Sequence, residues 1–290
     1  MSHGPNQWLP APPALGVPTT FDQYSGAADP ALPAGAVKSP PGRAPDADVG
    51  CSIEIMVWVS MILVTGANKG LGRETARRLI AEGHDVWAAA RDPERGRAVA
   101  EELGARPLVL DVTHDASVDG AAKTVAQATG GVLDVLINNA GISGGRIPPR
   151  DLSAADVAAV YDVNVLGAVR MLHAFLPLLE RSKSPVVVNV SSGLGSLTYS
   201  ADPESAYSKL IVPAYFSSKA ALNMLTIQYA KAFPHLRINS VDPGFTATDL
   251  NANRGTQTVT EGTDVIVRMA TIGPEGPTGS FVSRDGPVPW

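Results

Sequence analysis

The sequence has little cysteine, little net charge and few histidines. Cys51 is its only cysteine, which excludes an intrachain disulfide and a cysteine-based metal cluster and is typical of a reducing cytoplasm, where we expect the protein to reside. The five histidines are scattered without ligand spacing, so no metal site is predicted. The net charge of −5, with no Lys/Arg run, argues against nucleic acid and anionic membrane surfaces as partners.

Long apolar runs are also missing near the start of the chain. The longest, Ile53–Leu63, is interrupted by Glu54 and Ser60 and is too short to cross a bilayer. No charged-then-apolar segment follows Met1. We therefore expect neither a signal peptide nor a membrane partner.

Composition divides the chain into two parts. Residues 1–55 are crowded with Pro, Gly and Ala and lack apolar periodicity, a composition that cannot offset the entropy cost of ordering the chain. We predict a disordered N-terminal extension over residues 1–55, to which no role is assigned, and a single domain over residues 56–290.

Within residues 56–290, short β-branched runs alternate with helical stretches. Six runs are apolar without alternation, as expected of strands covered on both faces: Met61–Val64, Val86–Ala90, Pro107–Leu110, Val132–Ile137, Val186–Val190 and Ile238–Val241. Helices are predicted over Leu71–Glu82 and from a capping box at Thr258 to Gly273. This succession predicts an α/β fold with a Rossmann-type, doubly wound parallel sheet, and a last strand near Gly279–Ser283 would close that sheet.

The segment Met61–Gly72 reads as a strand, a glycine turn and the start of a helix. Glycines there let the backbone approach a pyrophosphate, and free N–H groups at the helix N-terminus stabilise its negative charge. The TGxxxGxG spacing differs from the GxGxxG of most dinucleotide-binding domains and resembles the fingerprint of the short-chain dehydrogenase/reductase family. The resemblance implies that the turn binds a nicotinamide cofactor through Gly66, Asn68, Lys69, Gly70, Leu71 and Gly72.

The residues that follow the second strand indicate which nicotinamide cofactor is used. An NAD site usually places a carboxylate there for the ribose hydroxyls, whereas a 2′-phosphate calls for a guanidinium. The position that is acidic in NAD-using relatives aligns with Ala90. Arg91, Arg95 and Lys69 instead supply cations, which resembles NADP-using carbonyl reductases. We interpret Asp92 as the N-cap of a helix, and therefore predict NADP(H).

Three later segments match the remaining cofactor contacts of the family. Asp111-Val112 resembles its adenine contact, and Asn138-Asn139-Ala140-Gly141 matches its NNAG turn, in which the first Asn would tie the central strands together. Pro243-Gly244-Phe245-Thr246-Ala247-Thr248 matches its PGxxxT stretch. The residues implied by these matches are Asp111, Val112, Asn138, Ala140, Gly141, Pro243, Gly244 and Thr248. Asp111 by itself could equally be a turn residue.

Tyr215 and Lys219 lie four residues apart, on one face of a predicted helix. A lysine cation about 4 Å from a phenol is worth on the order of 4 kcal/mol at an effective dielectric of roughly 20, enough to lower the phenol pKa by about three units. Tyr215 is therefore predicted to be the general acid and base. The resemblance implies that both residues also contact the cofactor, that Ser192 bonds the substrate oxygen, and that Asn164 holds a water linked to the lysine.

Two rival assignments are weaker. Ser191 is less suitable than Ser192 because strand alternation points it to the opposite side. Tyr207 and Lys209 are only two residues apart, which places their side chains on different helical faces.

Together the motifs predict an NADPH-dependent oxidoreductase that transfers a hydride between nicotinamide and a small carbonyl or alcohol substrate. The alternative is a non-catalytic NADP-binding sensor or scaffold, which has no need for the full set Asn164, Ser192, Tyr215 and Lys219. A sugar-nucleotide epimerase of the extended branch would carry TGxxGxxG and a longer C-terminal domain, both missing here.

The spacing of 23 positions between Ser192 and Tyr215 is long for the family and resembles carbonyl reductases with an insertion there. We therefore predict an extra loop over Tyr199–Val212, beside the substrate mouth. That loop could obstruct dimerisation, so a monomer and a homo-oligomer both stay open. Ile142, Leu194, Leu197 and the lid-like stretch Phe245–Thr256 are candidate pocket residues, and they favour a medium-sized, largely apolar ketone or aldehyde.

Deletion of residues 1–50 is expected to leave activity and melting temperature unchanged, because a disordered extension contributes no packed surface. Thermal unfolding and carbonyl-dependent oxidation of reduced cofactor, measured on the full and shortened chains, test this. A large loss of either would show that the extension is part of the folded protein.

Overall fold

A mainly parallel β-sheet forms the centre of the structure, a computed structural model that describes residues 59–290. The strands are β1 (Met61–Thr65), β2 (Asp85–Ala90), β3 (Arg106–Val109), β4 (Val135–Asn138), β5 (Val186–Val190), β6 (Arg237–Asp242), β7 (Phe281–Ser283) and β8 (Gly286–Pro287). Their order across the sheet is β3-β2-β1-β4-β5-β6-β7-β8, and only β7 and β8 pair antiparallel. The extension predicted for residues 1–55 lies outside the described residues.

The helices connect successive parallel strands. They are α1 (Gly70–Ala81), α2 (Pro93–Leu103), α3 (Asp115–Thr129), α4 (Ala154–Tyr161), α5 (Gly167–Leu179), α6 (Leu197–Ala201), α7 (Pro213–Ala232) and α8 (Val259–Ala270). A π-helical turn over Asp162–Leu166 joins α4 to α5. The predicted α/β fold with a Rossmann-type, doubly wound sheet is thus confirmed.

The sheet is buried on both faces, which explains why its strands lack apolar alternation. On one face Leu63 belongs to a buried cluster with Val125 of α3 and Phe175 of α5. On the other face Val64 belongs to a cluster with residues of α1 and α8, such as Ile266. Consecutive strand residues therefore pack into opposite cores.

The run Ala154–Leu179 is the one helix of the described chain that is long and apolar enough, by length and composition alone, to cross a membrane. Met171, Phe175 and Leu179 within it are fully buried against the sheet. Packing in the protein core therefore accounts for its apolar composition.

Two predicted boundaries differ from the structure by three residues, and one strand was not predicted. The strand expected from Val132 begins at Val135, because the Val132 amide bonds the Thr129 hydroxyl at 3.2 Å and completes the turn after α3. The helix expected to reach Gly273 ends at Ala270, followed by its C-cap residue. The two-residue strand β8 was not predicted, since it is too short to show a pattern.

The segment Tyr199–Val212 is not the plain loop that we predicted. It overlaps α6, where the Ser196 hydroxyl accepts from the Tyr199 amide at 3.1 Å, and it includes a 3-10 turn over Ala206–Lys209. The rings of Tyr199 and Tyr207 lie 5.4 Å apart and join the two pieces. The prediction missed this structure because both helical pieces are shorter than two turns.

Candidate active site

The candidate residues gather at the carboxyl edge of the sheet, where the order of the strands reverses between β1 and β4. The glycine turn follows β1, the NNAG turn follows β4, Ser192 follows β5, and Pro243 follows β6. Parallel strands place these four connections at one edge, the usual location of ligand sites in doubly wound sheets.

The glycine turn and the NNAG turn touch at Gly66. Gly66 has φ +66°, and a Cβ there would lie 3.1 Å from Ala140 Cα. The Asn139 amide donates to the carbonyls of Thr65 at 2.8 Å and Gly66 at 3.3 Å, and the Thr65 hydroxyl accepts from the Ala140 amide at 3.0 Å. Asn139 and Thr65 lie inside the quoted motifs but were not among the predicted site residues. The requirement for an amide that holds the turn carbonyls could have identified Asn139.

The start of α1 suits an anion. Its N-cap residue, Lys69, is extended and makes no side-chain hydrogen bond to the helix, and the first turn carries no acid. Gly70 has φ +54°, and a Cβ there would lie 3.6 Å from Thr248 Cγ2, so the glycine turn meets the PGxxxT segment. Asn68 is half-buried in the same turn, and a Cβ at Gly262 of α8 would lie 3.0 Å from Leu71 Cδ2. Free amides and glycine-lined space fit a dinucleotide pyrophosphate.

Asp92 is the N-cap of α2, as predicted. Its carboxylate accepts from the amides of Glu94 at 3.1 Å and Arg95 at 3.0 Å, and Pro93 occupies the first helical turn. This use of the carboxylate agrees with its interpretation as a cap rather than a ribose ligand.

The three cations predicted for a 2′-phosphate are all exposed. Lys69 Nζ lies 2.9 Å from Asp249 Oδ2, and Arg95 Nε lies 3.5 Å from the Asp92 carboxylate. Arg91 directly follows β2 and is close enough to Asp111 for its charge to act on that carboxyl group. A bound phosphate would therefore compete with carboxylates for two of the three cations.

Asp111 and Val112 follow β3 near the predicted adenine position. Asp111 Oδ1 accepts from the Thr113 amide at 3.0 Å and hydroxyl at 2.7 Å. Burial acts to raise the Asp111 pKa, but these bonds and the charges of His114 and Arg91 lower it overall. Val112 is buried beside Gly167 of α5.

Lys219 connects α7 to the end of β5. Its side chain is buried, and Nζ donates to the Val190 carbonyl at 2.8 Å. Burial lowers the Lys219 pKa to about 8, so the ammonium is mainly protonated at neutral pH. Nζ also lies 5.6 Å from the centre of the Tyr215 ring, which confirms that the two side chains share one face of the helix.

The Tyr215 phenol lies beside Ser192. The serine hydroxyl is within hydrogen-bonding reach of the tyrosine oxygen and also accepts from the Leu194 amide at 3.2 Å. Ser191 is buried, and its hydroxyl donates to Asn223 Oδ1 at 2.6 Å, so it points into the core. The Ser192 side chain therefore lies beside Tyr215 and the Ser191 side chain in the core, and the role of Ser192 stays a prediction.

The expectation that Lys219 lowers the Tyr215 pKa is wrong for this structure. Burial raises the Tyr215 pKa to about 12, the negative charge of Asp242 adds to the rise, and only the bond from Ser192 opposes it. Desolvation disfavours the phenolate, and the Lys219 ammonium, whose own pKa burial lowers, is not among the groups that oppose the rise.

Asn164 lies in the π-helical turn and is buried. Its Oδ1 accepts from the Ile142 amide at 2.9 Å, while Nδ2 donates to the Ile142 carbonyl at 2.9 Å and to the Ser218 hydroxyl at 3.0 Å. A Cβ on Gly141 would lie 3.4 Å from Asn164 Oδ1 and 3.7 Å from Lys219 Nζ. The NNAG turn, Asn164 and Lys219 therefore meet at one point.

Asn138 ties the central strands together as predicted. Its amide donates to Asn189 Oδ1 on β5 at 2.9 Å, and Asn189 donates to the Thr226 hydroxyl of α7 at 2.8 Å. The Asn138 Oδ1 atom is buried and has no hydrogen-bond partner among the described residues. The chain of polar side chains fixes α7 on the sheet and thereby positions Tyr215.

The segment after β6 folds back on itself. Gly244 has φ +71°, its amide donates to Asp242 Oδ1 at 3.0 Å, and Thr246 pairs with Gln257 in an isolated parallel bridge. Phe245 and Leu250 in this lid-like stretch are about half exposed, at 52% and 45%. Ile142 and Leu197, at 37% and 71%, are the other exposed pocket candidates, and Leu194 is half-buried.

Sequence reasoning missed Asp242 and dismissed Tyr207 as a poor partner for Lys209. Both lie close to Gly193, next to Ser192, and the charge of Asp242 acts on Tyr215. A carboxylate at the end of a strand that was predicted to be buried on both faces was the available signal for Asp242. Tyr207 had no local signal because its neighbours in space are distant in sequence.

The profile of the short chain dehydrogenase family matches residues 60–259 of this sequence. The chain therefore belongs to the short-chain dehydrogenase/reductase family and is an oxidoreductase that acts on carbonyl or alcohol groups. Members of this family use nicotinamide cofactors, and the glycine turn and its free amides fit one.

Several relatives are similar over most of their length. The chain is 38% identical to the short-chain dehydrogenase anuI of Penicillium roqueforti, with 73% of this chain and 89% of that protein covered. It is 34% identical to the (+)-neomenthol dehydrogenase of Arabidopsis thaliana, with 77% and 95% covered. The structure of NADPH-bound carbonyl reductase from chicken fatty liver matches with a TM-score of 0.72 and 28% identity over 80% of this chain and 99% of that one.

A matched pair of glycine substitutions tests the cofactor turn. Gly66 and Gly104 have φ of +66° and +72°, so Ala at either position costs roughly 1–2 kcal/mol of backbone strain. A Cβ at Gly66 also meets Ala140, whereas a Cβ at Gly104 has nothing within 4 Å. We expect G66A to weaken cofactor binding at least about tenfold and G104A to leave it unchanged, by fluorescence titration with reduced cofactor. Equal affinities of the two variants would contradict the assignment of this turn.

Proposed function

We propose that this protein is an NADPH-dependent carbonyl reductase acting on medium-sized, largely apolar ketones or aldehydes. The observation that carries the proposal is the grouping of Ser192, Tyr215 and Lys219 at the sheet edge that also holds the glycine turn. A non-catalytic NADP-binding module is disfavoured because it has no use for a phenol paired with a serine and a buried ammonium.

The preference for NADPH rests on the end of β2. Ala90 is a buried alanine that offers no carboxylate to ribose hydroxyls, and Arg91 beside it is an exposed guanidinium. The NADPH named in the chicken carbonyl reductase structure supports the same choice.

The chain's own groups would carry the proton part of the reaction. A nicotinamide cofactor held by the glycine turn would supply or accept the hydride. Ser192 donates a hydrogen bond to the substrate oxygen, and Tyr215 gives that oxygen its proton as reduction proceeds. Burial raises the Tyr215 pKa to about 12, but a phenol remains a stronger acid than an aliphatic alcohol, so transfer of its proton to the substrate alkoxide is downhill.

Lys219 and Asn164 have supporting roles in this scheme. Lys219 holds the end of β5 through the Val190 carbonyl and keeps a cation near the Tyr215 ring. Asn164 fixes the backbone of Ile142, a predicted pocket residue, through two hydrogen bonds.

The proposal is tested by oxidation of NADPH and NADH against a panel of aldehydes, cyclic ketones and quinones. Turnover with at least one class, faster with NADPH, is the expected result. Tight cofactor binding without turnover of any panel member would favour the non-catalytic module instead.

Replacement of Tyr215 by Phe removes the proton donor and leaves the ring in place. We expect a loss of about 10²–10⁴-fold in kcat and cofactor affinity within about twofold of the parent. Tyr229→Phe, on the same helix and away from Ser192, is the matched control and should retain activity. Full activity of Tyr215→Phe would reject its role.

Replacement of Arg91 by Asp places a carboxylate at the end of β2. Loss of a charge-assisted bond and gain of repulsion should cut kcat/KM with NADPH by about 10–100-fold and shift preference toward NADH. Lys123→Glu on α3 is an exposed charge reversal outside the predicted site and controls for net charge. An unchanged cofactor ratio in Arg91→Asp would count against the phosphate assignment.

A further inference from the structure

Asp242 is a buried carboxylate that no step of the proposed reaction uses. It is the last residue of β6 and is only 7% exposed. Its Oδ1 accepts from the Gly244 amide at 3.0 Å, and the Gly193 amide is a second backbone donor. Over residues 59–290, no side chain donates a hydrogen bond to this carboxylate and no cation pairs with it.

A buried carboxylate without a cation is unusual in a folded protein. Aspartate is almost never fully buried unless a cation or a metal ion pairs with it. Burial raises the pKa of the Asp242 carboxyl group, while the amides of Gly193 and Gly244 oppose this rise. A cation that approached the carboxylate would act in the same direction as the two amides and would favour the ionised form. The site therefore has a place for one further, cationic partner.

The Tyr207 hydroxyl lies at the same place. A Cβ on Gly193 would lie 2.8 Å from Asp242 Oδ2, 3.2 Å from the Tyr207 hydroxyl and 3.3 Å from Tyr207 Cζ. The ring of Tyr207 packs against that of Tyr199, and the Tyr207 amide donates to the Ser205 hydroxyl at 3.2 Å. The Tyr207 hydroxyl itself makes no hydrogen bond to any residue that the structure describes. Two oxygens without side-chain partners therefore approach one point.

That point is next to the residue that would hold the substrate carbonyl. Gly193 directly follows Ser192, whose hydroxyl lies beside the Tyr215 phenol. Gly193 is not among the glycines with positive φ, so its backbone conformation does not require glycine. The two oxygens instead leave no room for a side chain there. A space that is free of a side chain and lined by a carboxylate and a phenol suits a positively charged hydrogen-bond donor.

We propose that Asp242 Oδ2 and the Tyr207 hydroxyl form a subsite for an ammonium group, which selects carbonyl substrates that carry an amino group on an otherwise apolar body. The ammonium would donate to the carboxylate and to the phenol oxygen, and hydrogen bonds of this charge-assisted kind are the strong ones. Tyr207 belongs to the segment Tyr199–Val212, so this segment would contribute to the choice of substrate. The inference rests on the proposed function, because it assumes that Ser192 holds the substrate carbonyl.

The substrate preference is measured with pairs of ketones of matched size. Each pair consists of an (aminomethyl)acetophenone, which is charged at neutral pH, and an ethylacetophenone, in which a methyl group replaces the ammonium. The meta and para isomers present the charge in two directions. The readout is the ratio of kcat/KM for the ammonium ketone to kcat/KM for the ethyl ketone. Because the ethyl ketone reports any general effect of a variant on the site, this ratio isolates the contribution of the charge.

Asp242→Asn removes the charge and keeps an oxygen that can accept from the Gly244 amide. We expect the ratio to fall at least about tenfold for one of the isomers, because a hydrogen bond to a charged group is lost. Tyr207→Phe removes a neutral acceptor and should lower the ratio about threefold. Asp285→Asn, at an exposed position, controls for net charge, and Tyr229→Phe controls for loss of a phenol. Both controls should leave the ratio unchanged.

A second measurement needs no turnover. Benzylamine carries the ring and the ammonium but no carbonyl, and its contact with the NADPH-loaded protein is measured by saturation-transfer NMR. The signal should be present with the parent protein and lost in Asp242→Asn, or in Asp242→Ser should the first variant not fold. If neither folds, Tyr207→Phe should weaken benzylamine binding about threefold, and an unchanged affinity would overturn the proposal.

The outcomes separate the two proposals. If the parent protein reduces no ketone, the proposed function fails, while benzylamine binding that depends on Asp242 would still show an amine site. If the ethyl ketones are reduced and the ratio is the same in the parent protein and in the charge-free variants, only the subsite is overturned. In that case the carboxylate serves only to join the turns at Gly193 and Gly244.

Discussion

The buried ammonium of Lys219 is the constraint on which the arrangement of the site depends. A cation with almost no exposure costs several kcal/mol of desolvation unless polar groups surround it, and the Val190 carbonyl provides one such group. This bond fixes α7 against the end of β5. Because Tyr215 is one helical turn away from Lys219, its position beside Ser192 follows from the same bond. The polar chain from Asn138 through Asn189 to Thr226 fixes the next part of α7 in the same way.

The pKa values of Tyr215 and Lys219 are not those of a lysine–tyrosine pair in which the ammonium alone sets the acidity of the phenol. Burial lowers the pKa of Lys219 and raises that of Tyr215, so both groups move toward their neutral forms. Asp242 acts on Tyr215 in the same direction as burial.

Much of the fold was predictable because parallel strands buried on both faces are largely apolar runs without alternation, as in Met61–Val64. The cofactor end was predictable because its glycines and the Asn138–Gly141 turn are contiguous in sequence. The structure of the inserted segment Tyr199–Val212 could not be predicted in the same way. Its two short helical pieces are joined by a ring contact between Tyr199 and Tyr207, which lie eight residues apart. The rise in the Tyr215 pKa also could not be predicted from the residues around it in the sequence. Its causes are burial and the charge of Asp242, and both depend on the folded sheet. The roles of Asn164, Ser192, Tyr215 and Lys219 stay predictions, although the geometry places these residues close together.

The ion pair between Lys69 and Asp249 joins the glycine turn to the segment that follows β6. Both side chains are 64% exposed, so the pair contributes no more than about 1 kcal/mol and weakens as ionic strength rises. The segment is also held by backbone bonds, such as that from the Ala247 amide to the Gln257 carbonyl at 2.9 Å. An anion that engages the lysine would therefore displace only this weak ion pair and would leave those backbone bonds in place.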